Sequence, residues 1–257
     1  MAYVVSIWPQ EVARSWLPCE RDAVVPLASW QGGGGELTGN ESLPAGMELR
    51  REPEGLVLTA DGMSLRADFS RLLPRLEPRR LGRELLLCAA RIRGCDRGLR
   101  AADATAGLGE DSLLLAAAGF EVALFERNSV IAALLADALE RASREPELAE
   151  IVSRMRLVVG DGVAGLQELE GPVDAILLDP MFPAKRGSAA AKKKLQLLQR
   201  LEGPAAQETA LLDAALSVRP RKVVIKRPLR GPFLAGKKPS YTLRGKLIRY
   251  DVIVRPC

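Results

Sequence analysis

The sequence predicts an α/β fold in which a mostly parallel sheet is covered by helices on both faces, and three observations predict it. From about residue 80 onward, short runs rich in Val, Leu and Ile alternate with longer amphipathic ones, the pattern of successive βαβ units. Four of the short runs terminate at an acid: Asp103, Glu126, Asp161 and Asp179. The chain then closes with "YTLRGKLIRYDVIVR", two strand-like runs about Gly245 that read as an antiparallel hairpin on the edge of the sheet.

Taken in order, residues 1–78 form a small, partly β N-terminal subdomain. Within it "WQGGGGELTGNESLPAG" (30–46) is a loop, because Gly, Asn, Ser and Pro disfavour any regular element. In "GLVLTADGMSLRADF" (55–69) two alternating runs flank Asp61-Gly62, a strong short-range hairpin signal. Residues 79–257 form the main domain. There "RELLLCAARIRG" (83–94) has helical spacing, and "LRAADATAGLG" ends a strand in a glycine turn. "EDSLLLAAAGF" is a helix, "EVALFERN" a strand, "SVIAALLADALERASRE" a long helix, and "MRLVVGDG" and "VDAILLDP" are strands. A helical stretch runs from about Ala189 to Ser217, and "RKVVIKRP" is the fifth strand.

Composition removes whole classes of chemistry. The chain has 257 residues, 47% of them hydrophobic, enough to bury a substantial core. It contains no histidine, which excludes Ser-His and Cys-His pairs, a histidine base and histidine-ligated metals. Cys19, Cys88, Cys95 and Cys257 show no metal-ligand spacing and read as reduced thiols, so no metal site is expected. An excess of 37 Lys and Arg over 32 Asp and Glu favours a polyanionic partner. Neither a signal-peptide pattern nor a run long enough for a membrane span is present, so a soluble cytoplasmic protein without membrane association is expected.

The strand-end acids are where the chemistry concentrates. In "DATAGLGED" (103–111), Gly107 and Gly109 let the backbone pass close to a ligand, and the helix that follows offers its first amides. Glu126, at the tip of the next strand, is placed to accept hydrogen bonds from both ribose hydroxyls of a nucleoside cofactor. Asp161 and Gly162 end the third strand where an adenine edge would lie. Each acid alone could be a turn residue, but several in succession on the carboxyl edge of one sheet mark the place where open α/β sheets bind ligands. A dinucleotide site would prefer a third glycine where Ser112 stands, and Asp103 would repel a pyrophosphate, whereas it suits the amino group of a methionine moiety. The turn therefore resembles motif I of the class I S-adenosylmethionine-dependent methyltransferases, which implies a Rossmann-like sheet and S-adenosyl-L-methionine as cofactor.

The fourth strand ends in Asp179-Pro180-Met181-Phe182, which resembles the Asp/Asn-Pro-Pro-Tyr/Phe tetrapeptide of amino-methyltransferases, with Met181 in place of the second proline. The lone pair of an exocyclic base amine is delocalised into the ring. A carboxylate and a backbone carbonyl that accept its N–H bonds stabilise the positive charge that grows on nitrogen as a methyl arrives. Prolines fix Asp179 and the Pro180 region as those acceptors, and Phe182 offers a face on which a base stacks.

Read together, "DATAGLGED", "LFERNSVIAALLADALERA", "LLDPMFPAKRGSAAAKKKLQLLQRL" and "RKVVIKRP" resemble the small-subunit ribosomal RNA guanine-N2 methyltransferase J family over roughly residues 98–228. The resemblance implies transfer of a methyl to the exocyclic N2 of a guanine in small-subunit (16S) rRNA, with rRNA or the 30S subunit as partner. It also implies that Glu110, Asp111, Glu126, Arg127, Asp161, Gly162 and Asp179 contact the cofactor or lie beside it. Lys185, Arg186, Lys192, Lys193, Lys194, Lys222, Lys226, Arg227 and Arg230 are candidates for neutralising RNA phosphates. The alternatives are methylation of an exocyclic amine on another RNA or DNA base, an NAD-binding oxidoreductase, and a non-catalytic RNA-binding module.

Overall fold

A computed structural model describes residues 3–5, 43–95, 98–180, 197–198, 201 and 208–255. Met181, Phe182 and the basic residues from Lys185 to Lys194 therefore lie outside the described residues, as does the glycine-rich segment 30–42.

The main sheet is built from β1 (Tyr3–Val5), β5 (Arg100–Asp103), β6 (Glu121–Glu126), β7 (Met155–Val159), β8 (Ala175–Leu178), β9 (Lys222–Pro228), β10 (Tyr241–Arg244) and β11 (Ile248–Val254), in the order β1-β7-β6-β5-β8-β9-β11-β10. Strands β5 to β9 run parallel, while β1, β10 and β11 are antiparallel to their neighbours. The chain steps outward from β5 to β6 and β7, then returns to the other side of β5 for β8 and β9. Strand order thus reverses between β5 and β8, and the crevice at their carboxyl ends is where such a sheet takes a ligand. The closing hairpin and the parallel strands stand where the sequence places them.

Helices cover both faces for a simple reason: β5, β6 and β8 are buried along nearly their whole length, which only two apolar layers can achieve. The helices are α1 (Leu73–Leu76), α2 (Pro78–Leu81), α3 (Leu85–Ala90), α4 (Glu110–Ala117), α5 (Ser129–Ala142), α6 (Ala149–Val152), α7 (Gly162–Gln167) and α8 (Glu208–Ser217). One apolar cluster joins α3, α4 and α5 to one face of the sheet, and a second joins α7 and α8 to the other.

A separate antiparallel sheet consists of β2 (Met47–Glu52), β3 (Gly55–Ala60) and β4 (Met63–Leu65). Its β3–β4 turn is the Asp61-Gly62 pair, both at positive φ (49° and 69°), as a two-residue turn between twisted strands requires. Leu56, Leu58 and Leu65 of this sheet enter the same apolar cluster as α5. Asp137, on α5 and only 2% exposed, fastens the two together: it accepts from Arg51 Nη1 (3.1 Å), Arg141 Nε (2.8 Å) and the backbone N–H of Leu56 (3.0 Å). Gly55, at φ 126°, is required there, since a Cβ would stand 2.6 Å from Asp137 Oδ2. Asp137→Ala leaves three donors around an empty acceptor site and is expected to cost about 3 kcal/mol of unfolding free energy. Urea denaturation followed by circular dichroism measures it, and a loss below about 0.5 kcal/mol would remove this carboxylate from the fold's supports.

Candidate active site

The carboxyl edge at the β5–β8 switch gathers three of the four strand-end acids through register alone. Asp103 lies level with Leu177 of β8, and Leu178 is level with Ile225 of β9, so the next residues on each, Asp179 and Lys226, stand side by side. Lys226 Nζ is 2.7 Å from Asp179 Oδ2 and 2.6 Å from Asp111 Oδ2, in the first turn of α4. One ammonium thus bridges the strand that precedes the Pro180 turn and the helix that follows the glycine turn.

The glycine turn is fully organised by the protein itself. Its amides go to fixed acceptors: Ala104 to Leu177 O (3.1 Å), Thr105 to Asp103 Oδ1 (3.1 Å), Ala106 to Phe125 O (3.0 Å) and Gly107 to Glu126 Oε2 (2.9 Å). Thr105 returns the support, its Oγ1 accepting from the backbone N–H of Asp179 at 2.6 Å. Ser112 Oγ donates to Asp103 Oδ2, also at 2.6 Å. The serine that replaces a dinucleotide fold's third glycine therefore has its own task, which is to hold the first strand-end acid.

The two glycines of the turn do different work. Gly107, at φ 55°, has open space where a Cβ would stand, so a ligand can approach its backbone. Gly109, at φ 74°, is a packing residue: a Cβ would meet Leu135 Cδ1 at 2.6 Å and Phe69 Cζ at 3.3 Å. Gly162 is likewise turned inward, its Cβ position only 2.1 Å from Ala104 O. It lets α7 press against the glycine turn from behind.

The other expected residues fall into place around this edge. Glu126, 4% exposed, holds the Gly107 and Asn128 amides with its two oxygens. Asp161 caps α7, accepting from the Val163 and Ala164 amides. Glu110 and Arg127 are exposed at the edge, and Pro180 is buried directly after Asp179. Thr105 escaped the sequence reading, although a hydroxyl two residues beyond a strand-end acid is a common turn device, and Ser112 entered it only as the position of a missing glycine.

The expected phosphate contacts need correction. Arg227 has a fully buried side chain, paired with Glu208 (3.0 Å) and donating to Pro232 O (2.9 Å), so it cannot meet a phosphate. Lys226 is committed to two carboxylates. Lys222, at the opposite edge of the sheet, donates to the carbonyls of Ala89 (2.9 Å) and Arg91 (2.7 Å) at the end of α3. Among the described residues of this group, only Arg230 is both exposed and at the site edge.

Charge in the crevice is unevenly balanced. Burial pushes the Asp103 carboxyl up to about 7, against the pull of its bonds to Ser112 and Thr105. Burial also raises Asp179, with Lys226 opposing. Burial works to lower Lys226, but Asp179 and Asp111 outweigh it and hold the ammonium well above its ordinary range. Three acids against one paired lysine make a site that favours a cation. Among the described residues no group of three or more Cys, Asp or Glu side chains is arranged to hold a metal, and no helix is long and apolar enough to cross a membrane.

Comparison with known proteins agrees with this geometry. The family described as "Putative SAM-dependent methyltransferase" matches residues 51–255. Ribosomal RNA small subunit methyltransferase J of Thioalkalivibrio sulfidiphilus is 42% identical over 234 residues, 85% of this chain and 91% of that protein. The protein of the same name from Pseudomonas paraeruginosa is 47% identical over 154 residues, 60% of this chain and 59% of its own length. Among solved structures, a SAM-dependent methyltransferase from Neisseria gonorrhoeae superposes with a TM-score of 0.67 at 31% identity, covering 84% of this chain and 85% of that one. These relationships set the NAD-binding alternative aside.

Replacing Lys226 with Met leaves Asp111 and Asp179 facing each other without their cation. The Asp179 carboxyl, raised by burial and now without the opposing lysine, then binds its proton more readily in the folded variant than in the unfolded chain, so the variant's stability falls as pH rises. We expect Lys226→Met to lose about 2 kcal/mol near pH 8, a value reduced for the partial exposure of the pair, and distinctly less near pH 5. Thermal melts across that range check the sign; a deficit that does not shrink in acid would contradict this account of the pair.

Proposed function

We propose, from the premise that this chain belongs to the S-adenosylmethionine-dependent methyltransferases of the small-subunit rRNA methyltransferase J family, that it methylates the exocyclic N2 of a guanine in small-subunit rRNA. The observation that carries the reading is the placement of Asp179. Its carboxylate stands at the β5–β8 switch point, joined through Lys226 to α4, while its backbone N–H donates to Thr105 Oγ1 of the glycine turn.

The site fits the cofactor. Bound S-adenosyl-L-methionine supplies a methyl group on a positively charged sulfur. Toward that cation the chain presents Asp103, Asp111 and Asp179, with Gly107 leaving its backbone open. Glu126, fixed by the Gly107 and Asn128 amides, is the acceptor for the ribose hydroxyls, and Asp161 at the tip of β7 serves the adenine. Glu110, Arg127 and Gly162 lie beside them at the same edge. Asp103 anchors the turn beneath the methionine portion and contributes its charge through space, since its own oxygens are occupied by Ser112 and Thr105.

At the target, Asp179 and the carbonyl of Pro180 accept the N–H bonds of the guanine amine and offset the charge that develops on nitrogen. Lys226 opposes the burial that raises the Asp179 carboxyl and fixes the direction of the carboxylate. Phe182 is assigned the stacking face for the base. No imidazole base is needed, in keeping with a chain that has no histidine. The reaction takes place in the cytoplasm, where the small subunit is found.

Incubation with radiolabelled S-adenosylmethionine and small subunits from a strain lacking the enzyme, followed by nucleoside mapping, tests the assignment. The expected product is N2-methylguanosine, and a ring-carbon or ribose methyl would overturn it. Asp179→Ala should cut turnover at saturating cofactor by about 100-fold or more, beyond any loss of cofactor affinity read by calorimetry. Undiminished transfer would remove Asp179 from the chemistry.

Cofactor affinity should depend on pH through Asp103. Its folded-state value of about 7, against an ordinary 3.8, means that the free enzyme carries a proton there in acid and loses it as pH rises. The contribution of Asp103 to the negative charge that attracts the cofactor cation therefore appears only as pH passes about 7. Calorimetry should show affinity falling several-fold between about pH 8 and pH 6 in the parent protein. Asp103→Asn keeps acceptor and donor for Thr105 and Ser112 but should bind more weakly at high pH, with a flat profile. An unchanged slope in that variant would assign the titration to another group.

A further inference from the structure

The chain between residues 226 and 249, "KRPLRGPFLAGKKPSYTLRGKLIR", contains eight Lys and Arg residues and no acid. Three of the eight are used inside the fold: Lys226 and Arg227 as described, and Arg249, which is 4% exposed. Arg249 pairs with Asp251 (2.9 Å) and donates to the carbonyls of Pro228 (2.9 Å), Leu229 (3.0 Å), Gly231 (2.8 Å) and Pro232 (3.3 Å). This clamp makes the loop after β9 a rigid platform at the carboxyl edge, and Arg230 projects from its middle, exposed.

The β10–β11 turn lies beside that platform. Ile248 is level with Pro228, and the Leu229 amide donates to Leu247 O at 3.3 Å, so Arg244, Lys246 and the 72%-exposed Leu247 share the edge with Arg230. A second basic segment meets the turn from the other side. In "RLLPRLEPRRLGR" (71–83) five arginines stand against one glutamate. Arg75 is fixed by Glu84 (2.8 and 2.9 Å) within electrostatic reach of Asp111 and Tyr250. Leu85 Cδ2 lies 3.2 Å from where a Cβ of Gly245 would stand. The exposed Arg79 and Arg83 lie in the stretch of chain between Arg75, beside the crevice, and Leu85, at the hairpin turn. Among the described residues no ion pair involves Arg79, Arg83, Arg230, Arg244 or Lys246.

We propose that Arg79, Arg83, Arg230, Arg244 and Lys246 form one RNA-docking rim along the β9–β11 side of the active-site crevice. The rim binds the phosphate backbone flanking the target guanine, and Leu247 supplies an apolar surface for an unstacked base. The inference rests on the rRNA reading above. Unpaired guanidinium and ammonium groups on a clamped scaffold suit phosphates, which position a strand without reading its sequence. An exposed apolar residue among them suits single-stranded rather than helical RNA. The rim joins the first residues of the main domain to the C-terminal hairpin, which gives both a place in substrate capture.

Three double charge reversals of equal size test it: Arg79→Glu with Arg83→Glu, Arg244→Glu with Lys246→Glu, and Lys237→Glu with Lys238→Glu. Lys237 and Lys238 are exposed but precede β10, whose first residue lies toward the opposite edge near Lys222, and they serve as the control. The probe is unmodified small-subunit rRNA in filter-binding titrations over a range of salt. The first two variants should bind roughly tenfold more weakly, with the salt slope lowered by about 1 to 2, and the control should stay within about twofold of the parent. Equal losses in all three would reduce the effect to net charge and overturn the rim, as would parent-like binding by the first two. Losses seen with assembled subunits but not with naked rRNA would assign the surface to a ribosomal protein and also overturn it. Unchanged S-adenosylmethionine binding by calorimetry verifies each fold, and Gln versions carry the test where a Glu disturbs it. A parent protein that binds the cofactor but never methylates rRNA would fail the functional reading, a result distinct from any of these.

Discussion

One ammonium group between two carboxylates sets the geometry of the crevice. Lys226 reaches Asp111 at the start of α4 and Asp179 at the end of β8, and these two elements carry the two halves of the site. Without a cation the two acids would repel each other across a partly buried gap, where Coulomb energies are several times those in water. With one cation the two carboxylates still leave the balance negative, and Asp103 beneath the turn adds to it as it ionises. That leaves a site able to attract a cationic cofactor while its own residues stay fixed. The positive end of the α4 helix dipole stabilises the acids in its first turn, Glu110 and Asp111.

Register delivers this arrangement with little help from long-range packing. Parallel pairing of β8 with β9 sets Leu178 against Ile225, so Asp179 and Lys226 leave the sheet together. Pairing of β5 with β6 and β8 puts the glycine turn between Glu126 and Asp179. The turn is then tied to both: by Gly107 N–H to Glu126 and by Thr105 Oγ1 to the Asp179 amide. Glycines where α7 and α4 press inward, Gly162 and Gly109, allow the layers to close behind it.

The strands, their acids and the closing hairpin were legible in the sequence because each depends on local signals: apolar runs, a Gly-rich turn, Asp61-Gly62. The partners of those acids were not. Lys226 and Arg227 read alike as basic residues beside a site, yet successive residues of a strand face opposite sides of the sheet. Lys226 turns toward α4 and its aspartate, and Arg227 turns toward α8 and Glu208, where it is wholly buried. Only the register between β8 and β9, which no local pattern encodes, tells which face each takes. The division of labour between Gly107 and Gly109 was hidden for the same reason, since the atoms crowding Gly109 come from Leu135 and Phe69, tens of residues away in the chain.

An acidic crevice creates a difficulty for an enzyme whose substrate is a polyanion, and the outer charges answer it. A phosphate that entered the crevice would meet Asp103, Asp111 and Asp179, whereas a neutral base would not be repelled. Exposed arginines and lysines at the rim reverse that preference a short distance away, where solvent and salt moderate but do not cancel the field. The backbone is therefore drawn to the edge and turned away from the centre, which favours a strand lying along the rim with one base pointing inward. The absence of any acid between residues 226 and 249 keeps that outer belt of one sign. The same strand, β9, supplies the lysine that organises the acidic centre and leads directly into the basic loop that surrounds it. Orientation of the base and exclusion of the phosphate thus follow from one change of sign along a single stretch of chain.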